Sequence, residues 1–135
     1  MTDLKQPGFV VQLQADFETA IQRVTEALKA EGFGVLTEID VKATLKKKID
    51  VDFRPYKILG ACNPMLAHRA LTTAPEVGLL LPCNVTVSQE GEGYMNVSIV
   101  DPISMLGVVK HPDLESVTSE ARAKLERVAA SLQND

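Results

Sequence analysis

The chain alternates between two periodicities, and their order predicts a mixed α+β fold. Residues 8–14, GFVVQLQ, are a short β-rich run. Asp16 then reads as a helix N-cap, and Phe17, Ala20, Ile21, Val24, Ala27 and Leu28 recur at helical spacing, with charged residues between them. Gly32 is placed to stop that helix in a left-handed turn. A strand over 33–39 follows, then a short helix over 40–50 capped by Asp40, with Val41, Leu45 and Ile49 as a thin apolar stripe. Residues 51–55, VDFRP, read as a loop or a short edge segment limited by Pro55, and 56–62, YKILGAC, as a third strand.

The second half shows no internal repeat of the first. Asn63 before Pro64 is a strong helix start, because Asn caps free amides and Pro at the first helical position lacks the N–H that would be unpaired. That helix is predicted to reach Thr72. Over 79–89, LLLPCNVTVSQ, the residues Leu79, Leu81, Cys83, Val85 and Val87 alternate onto one face. Leu80, Pro82, Asn84, Thr86 and Ser88 take the other. A glycine-rich turn at 90–93 leads to the strand 94–100, with Met95, Val97 and Ile99 inward, so 79–100 predicts an antiparallel hairpin. Asn84, Thr86, Asn96 and Ser98 form its polar face. Residues 103–109 fit a short helix or a loop. His111-Pro112 starts a last helix, whose stripe of Leu114, Val117, Ala121, Leu125, Val128, Ala129 and Leu132 packs across the sheet or against a partner chain.

The predicted order is β-α-β-(α)-β-α-β-β-α. It implies a two-layer α/β sandwich, with about five strands in a mixed or mainly antiparallel sheet, two long helices and one or two short ones. At 135 residues, the chain is expected to be one domain over 1–135. Aromatic residues are few, so the core is aliphatic, and the base-stacking surfaces of nucleic-acid binders are not expected.

The net charge of −4 argues against nucleic acid or an anionic membrane as partner. The distribution is uneven. Residues 40–69 hold seven cations against three anions, a net of +4, which leaves −8 for the rest. That asymmetry points to a small anionic ligand or to a solvated basic face. No apolar run reaches the roughly 18 residues of a membrane span. The first 17 residues lack the basic start and longer apolar region of a secretory signal. The expected location is cytoplasmic, where two cysteines stay thiols.

Two motifs share a further likeness. YKILGACNPMLAHRAL, followed about ten residues later by VGLLLPCNVTV, resembles the family catalogued as domain of unknown function 302. The lead-in GFGVLTEIDVKATLKKKIDVDFRPYKILGACNP and the later IVDPISML fit the same pattern, so the likeness covers roughly 8–132. The resemblance implies a compact α/β sandwich, found in bacteria and archaea as a stand-alone chain. It implies no activity.

On chemistry, Cys62 is the first suspect. It precedes a capped helix whose first amides favour negative charge, a setting that lowers a thiol pKa. It equally suits a tight strand–helix corner as a small buried residue. Cys83 sits in an apolar stripe and reads first as core. If strands 56–62 and 79–88 are neighbours, the two cysteines approach each other, and a disulfide needs their Cα atoms within about 7 Å. Zinc binding by Cys62, Cys83, His68 and His111 lacks the paired close spacings of structural sites, so no metal and no cofactor is expected. No nucleophile elbow, phosphate loop or zinc-protease motif occurs.

Three functions are compatible with this pattern. The favoured one is a non-catalytic homodimer binding a small anionic ligand near the 62–67 helix start, with Tyr56, Lys57, Cys62, Asn63, Met65, Leu66, Arg69 and Cys83 as candidate ligand-binding residues. The second is a thiol-based redox or transferase enzyme using Cys62 with Cys83. The third is a structural homo-oligomer joined through edge strands and the terminal helix.

Overall fold

The computed structural model describes residues 7–133; residues 1–6 and 134–135, which the single-domain expectation includes, lie outside the described residues. Five strands, β1 (Gly8–Gln14), β2 (Gly34–Asp40), β3 (Tyr56–Cys62), β4 (Cys83–Gly91) and β5 (Tyr94–Val100), form one sheet in the order β1-β5-β4-β3-β2. Every neighbouring pair is antiparallel. The helices are α1 (Phe17–Ala30), α2 (Val41–Ile49), α3 (Pro64–Thr73), α4 (Pro102–Leu106) and α5 (Glu115–Gln133), with 3-10 turns at Pro75–Leu80 and Pro112–Leu114. The chain is a two-layer α/β sandwich, as the sequence pattern predicts.

Local chemistry explains the element starts. Thr19 N–H donates to Asp16 Oδ1 at 2.8 Å, Ala43 N–H to Asp40 Oδ1 at 2.9 Å, and Ile103 N–H to Asp101 Oδ1 at 2.9 Å. Each cap satisfies a first-turn amide that the helix itself leaves open. Gly32, at φ +85°, ends the first helical segment in the left-handed region. The ambiguous stretch 103–109 contributes the short α4 and a turn, and Asp101 is the residue that starts the helix.

The alternating residues Cys83, Val85 and Val87 of β4 and Met95, Val97 and Ile99 of β5 all face the helix layer and are buried. Leu59 and Ala61 of β3 join them, together with Val24 and Leu28 of α1 and Leu125, Val128 and Leu132 of α5. The apolar stripe of α5 is therefore consumed inside the chain. Arg127 Nε donates to Glu31 Oε1 at 2.9 Å, fastening α5 to the end of α1.

A second cluster lies beside this core. Leu66 and Ala70 of α3, Ala74, Val77, Leu106, Leu114, Val117 and Ala121 pack together. Met105 touches both clusters.

One expectation fails. The strand predicted from residue 79 starts at Cys83, and Leu79 is 89% exposed rather than inward. Pro75 opens a 3-10 turn over this stretch, and Pro82 has no N–H to give to a ladder. The apolar alternation of Leu79 and Leu81 coincides with the strand period without belonging to it.

Gly60 is where β3 admits its neighbours closely. A Cβ there would collide with Thr37 Oγ1 and lie 2.7 Å from Pro82 Cγ. Gly60→Ala is expected to lower stability by about 1–3 kcal/mol, as overpacking does. Chemical denaturation monitored by circular dichroism measures it, and an unchanged midpoint would refute the close approach.

Candidate functional site

The two hydrophobic clusters do not close completely on each other. Between them lies a cavity of about 290 Å³ at the end of the sheet where β3 passes into α3. Phe33 and Leu36 wall it on the β2 side, Ala61 and Cys62 at the end of β3, and Leu66, Ala67, Ala70 and Leu71 along α3. Leu81, Pro82 and Cys83 enter from the start of β4, Pro102 and Leu106 from α4, and Val117 and Ala121 from α5. Asn63 is the one lining residue with an amide, and the only other polar atoms offered by lining side chains are the two thiols. Leu36 and Leu71 are 69% and 40% exposed, so the apolar lining continues to the surface.

Asn63 fixes this geometry. Its Oδ1 accepts from Leu66 N–H at 3.3 Å, capping α3, while its Nδ2 donates to Glu31 O at 3.4 Å at the end of α1. A Cβ on Gly32 would sit 3.0 Å from that Nδ2, so glycine there leaves room for the amide as well as permitting the positive φ. Ala67 N–H donates to Asn63 O at 2.9 Å. Two of the first amides of α3 are thus already satisfied by Asn63.

The eight candidate residues divide. Cys62, Asn63, Leu66 and Cys83 meet at the cavity. Met65 points away and is 78% exposed. Arg69 Nη1 donates to Glu120 Oε1 at 2.9 Å, tying α3 to α5 outside the cavity, and that bond holds the Glu120 carboxyl below its usual pKa. Lys57 Nζ donates to Glu38 Oε1 at 2.6 Å across β3 and β2, and the same bond pushes the Lys57 ammonium pKa up. Tyr56 stands at the opposite end of β3, its ring 6.1 Å from that of Phe53. His68 and His111 are not in the cavity wall, and His111 Nδ1 accepts from Asp113 N–H at 3.2 Å as a cap. Among the described residues, no group of three or more His, Cys, Asp or Glu is placed to hold a metal ion. Nor, among them, is any helix long and apolar enough to cross a membrane.

The basic segment does not converge on the helix start either. Lys46 pairs with Asp50 at 2.9 Å and with Asp52 at 3.4 Å. Lys42 Nζ donates to Phe53 O at 2.8 Å. Arg54 Nε donates to Ser88 Oγ at 3.1 Å, and its guanidinium lies 4.9 Å over the Phe53 ring.

The pairing of β3 with β4, on which an approach of the two cysteines depends, is present. Ala61 and Cys83 are register partners in β3 and β4, and Cys62 follows directly. Both cysteines are free thiols. Cys83 is buried, and this burial, with a smaller contribution from Cys62 nearby, pushes its thiol from an ordinary 9.0 up to about 11. A neutral thiol is what an apolar wall favours.

The other lining residues carry no signal of their own in the sequence. Ala67, Ala70, Leu106, Val117 and Ala121 read as ordinary core positions, because an apolar cavity wall and a packed core use the same residue types.

The raised Cys83 pKa makes the folded state bind its proton more tightly than the unfolded chain does. That stability is fully present below pH 9 and is lost as pH rises through 11. Wild type is therefore expected to lose more stability than Cys83→Ala between pH 9 and pH 11 in matched denaturant titrations. Parallel curves over that range would contradict the assignment.

Three comparisons place the chain among known proteins. No functionally curated protein matches it. Its backbone is similar to the crystal structure of an uncharacterized conserved DUF302 protein from Bacillus stearothermophilus, with a TM-score of 0.85 and 31% sequence identity, over 95% of this chain and 99% of that one. The family model for the domain of unknown function DUF302 matches residues 9–132, nearly the whole sheet and its helices, and the chain belongs to that family.

Proposed function

We propose that this single-domain chain is a binding module whose ligand is a small, mainly apolar molecule held in the cavity at the start of α3. The observation that carries this reading is the unfilled apolar space between the two hydrophobic clusters, open past Leu36 and Leu71. A concave, mainly apolar pocket with a few polar groups at one place is the usual form of a small-molecule site. At about 290 Å³ the cavity is close to the lower end of ligand pockets, roughly 300 Å³. Its lining includes no ionised side chain.

The anionic ligand suggested by the charge of residues 40–69 draws no support from the cavity wall. None of the cations of that segment lines the cavity, and Lys46, Lys57 and Arg69 are ion-paired away from it. The ligand chemistry therefore narrows to an apolar body, with any polar end meeting Asn63 or the thiols. A homodimer, the other expectation, has the open sheet face and the outer edges of β1 and β2 left to it, because α5 is spent in the core.

The test uses two fluorescent probes of similar shape, neutral N-phenyl-1-naphthylamine and its sulfonated analogue 1-anilinonaphthalene-8-sulfonate. The neutral probe is expected to bind the reduced protein. Ala67→Phe, which places a ring in the cavity from the less buried side of α3, is expected to weaken it by about tenfold or more. Binding of the sulfonated probe alone, or affinity unaffected by Ala67→Phe in a folded variant, would overturn the reading.

A further inference from the structure

Two nucleophilic side chains share the wall of one cavity, and ligand binding alone gives neither a task. Strand alternation directs Ala61 and Cys62 to opposite faces. Both residues nevertheless border the cavity at the end of β3. Cys83, the register partner of Ala61, lines it too. Cys62 is half-buried and Cys83 is buried, so Cys62 is the more accessible to a molecule entering the cavity.

We propose that Cys62 and Cys83 form a reversible thiol–disulfide couple, oxidised by an apolar hydroperoxide that enters the cavity. The Cys62 thiolate attacks the terminal peroxide oxygen. An S–O bond forms, the O–O bond breaks, and the alkoxide leaves as the alcohol after taking one proton. Two electrons pass from sulfur to the peroxide, and Cys62 becomes a sulfenic acid. The Cys83 sulfur then attacks the Cys62 sulfur. The S–S bond forms, the S–O bond breaks, and hydroxide leaves as water with the proton released by Cys83. An external dithiol returns two electrons and two protons, and is itself oxidised to a disulfide.

The surroundings favour this chemistry over a metal thiolate. The disulfide carries no charge, which suits the apolar wall, whereas a bis-thiolate metal centre keeps an ion in it. Among the described residues, no third or fourth ligand completes a metal site. The division of roles follows exposure: the accessible thiol meets the oxidant, and the buried thiol, held beside it by the pairing of β3 and β4, resolves it.

The experiment treats the fully reduced protein with cumene hydroperoxide and follows intact mass and peptide maps. Wild type is expected to lose about 2 Da, the two thiol hydrogens, through an intrachain Cys62–Cys83 bond that dithiothreitol reverses. Cys83→Ser is expected to stop at a Cys62 sulfenic acid that dimedone traps, and Cys62→Ser to leave Cys83 unmodified. Circular dichroism checks that both variants fold. Oxygen addition at Cys62 with Cys83 still free in wild type, a disulfide between chains, or two unreacted thiols would each refute the couple. Probe binding by the reduced protein reads the cavity alone, so the binding proposal and the thiol proposal fail separately.

Discussion

The direction in which α3 leaves β3 decides the rest of the structure, and Asn63 sets it. One amide group does two things there. Its oxygen caps α3, and its nitrogen holds the carbonyl of Glu31 at the far end of α1. The junction is therefore pinned to the helix layer rather than only to the sheet. Pro64 makes the turn into helix inexpensive, because the amide it lacks has no partner in a first turn. Pinned this way, α3 packs with the 3-10 turn at Pro75–Leu80, α4 and the first part of α5, and builds a second cluster of its own. The cavity is the seam that this arrangement leaves between the two clusters. Asp101 closes the far side by capping α4 while its other oxygen accepts from Arg122 Nε of α5 at 3.2 Å.

How much of this was legible in the sequence depends on the range of the interaction concerned. The caps at Asp16, Asp40 and Asn63 are local, and a reader of three or four residues finds them. The stripes of α1 and α5 and the alternation of β4 and β5 are periodic, and they too can be read directly. Residues 79–82 mislead because two apolar positions two apart satisfy the strand period, while the conformation is set by Pro75 and Pro82. The cavity was legible only in part: Cys62, Asn63, Leu66 and Cys83 were candidates, while its walls from α4 and α5 were not. Ala67 and Ala121 lie 54 positions apart in the chain and share its wall only because α3 and α5 cross there. Nothing local marks an alanine that borders a space as different from one that borders a leucine.

Charge was the least transferable signal. The +4 segment is a fact of the sequence, yet its cations serve separate local purposes. Lys57 pairs across two strands, Arg69 ties α3 to α5, and Lys46 closes the end of α2. Exposed pairs of this kind contribute little stability each and are screened by salt. They nevertheless remove the cations from any common site, because an ammonium or guanidinium held by a neighbouring carboxylate is partly neutralised before a ligand arrives. Net charge over a stretch of chain thus says little about the field at a point in the fold.

What the site selects for instead is neutrality. An apolar wall penalises any ion unless a counter-charge or several hydrogen bonds accompany it. The raised pKa of Cys83 is the direct sign of that penalty acting on a side chain of the protein itself. The same penalty acts on a ligand, which must leave its charge in water or present it at the rim, and on the products of thiol chemistry, where a disulfide is tolerated and a buried thiolate is not. Cys62 differs because it is half-buried and directly precedes a helix whose amides are partly spent on Asn63. The cap that explains Asn63 and Pro64 as structural residues also directly follows one thiol, half-buried, on the wall of an apolar space that the other, buried, shares. In the proposed thiol couple, the division of roles would then follow from which thiol this turn of the chain leaves accessible.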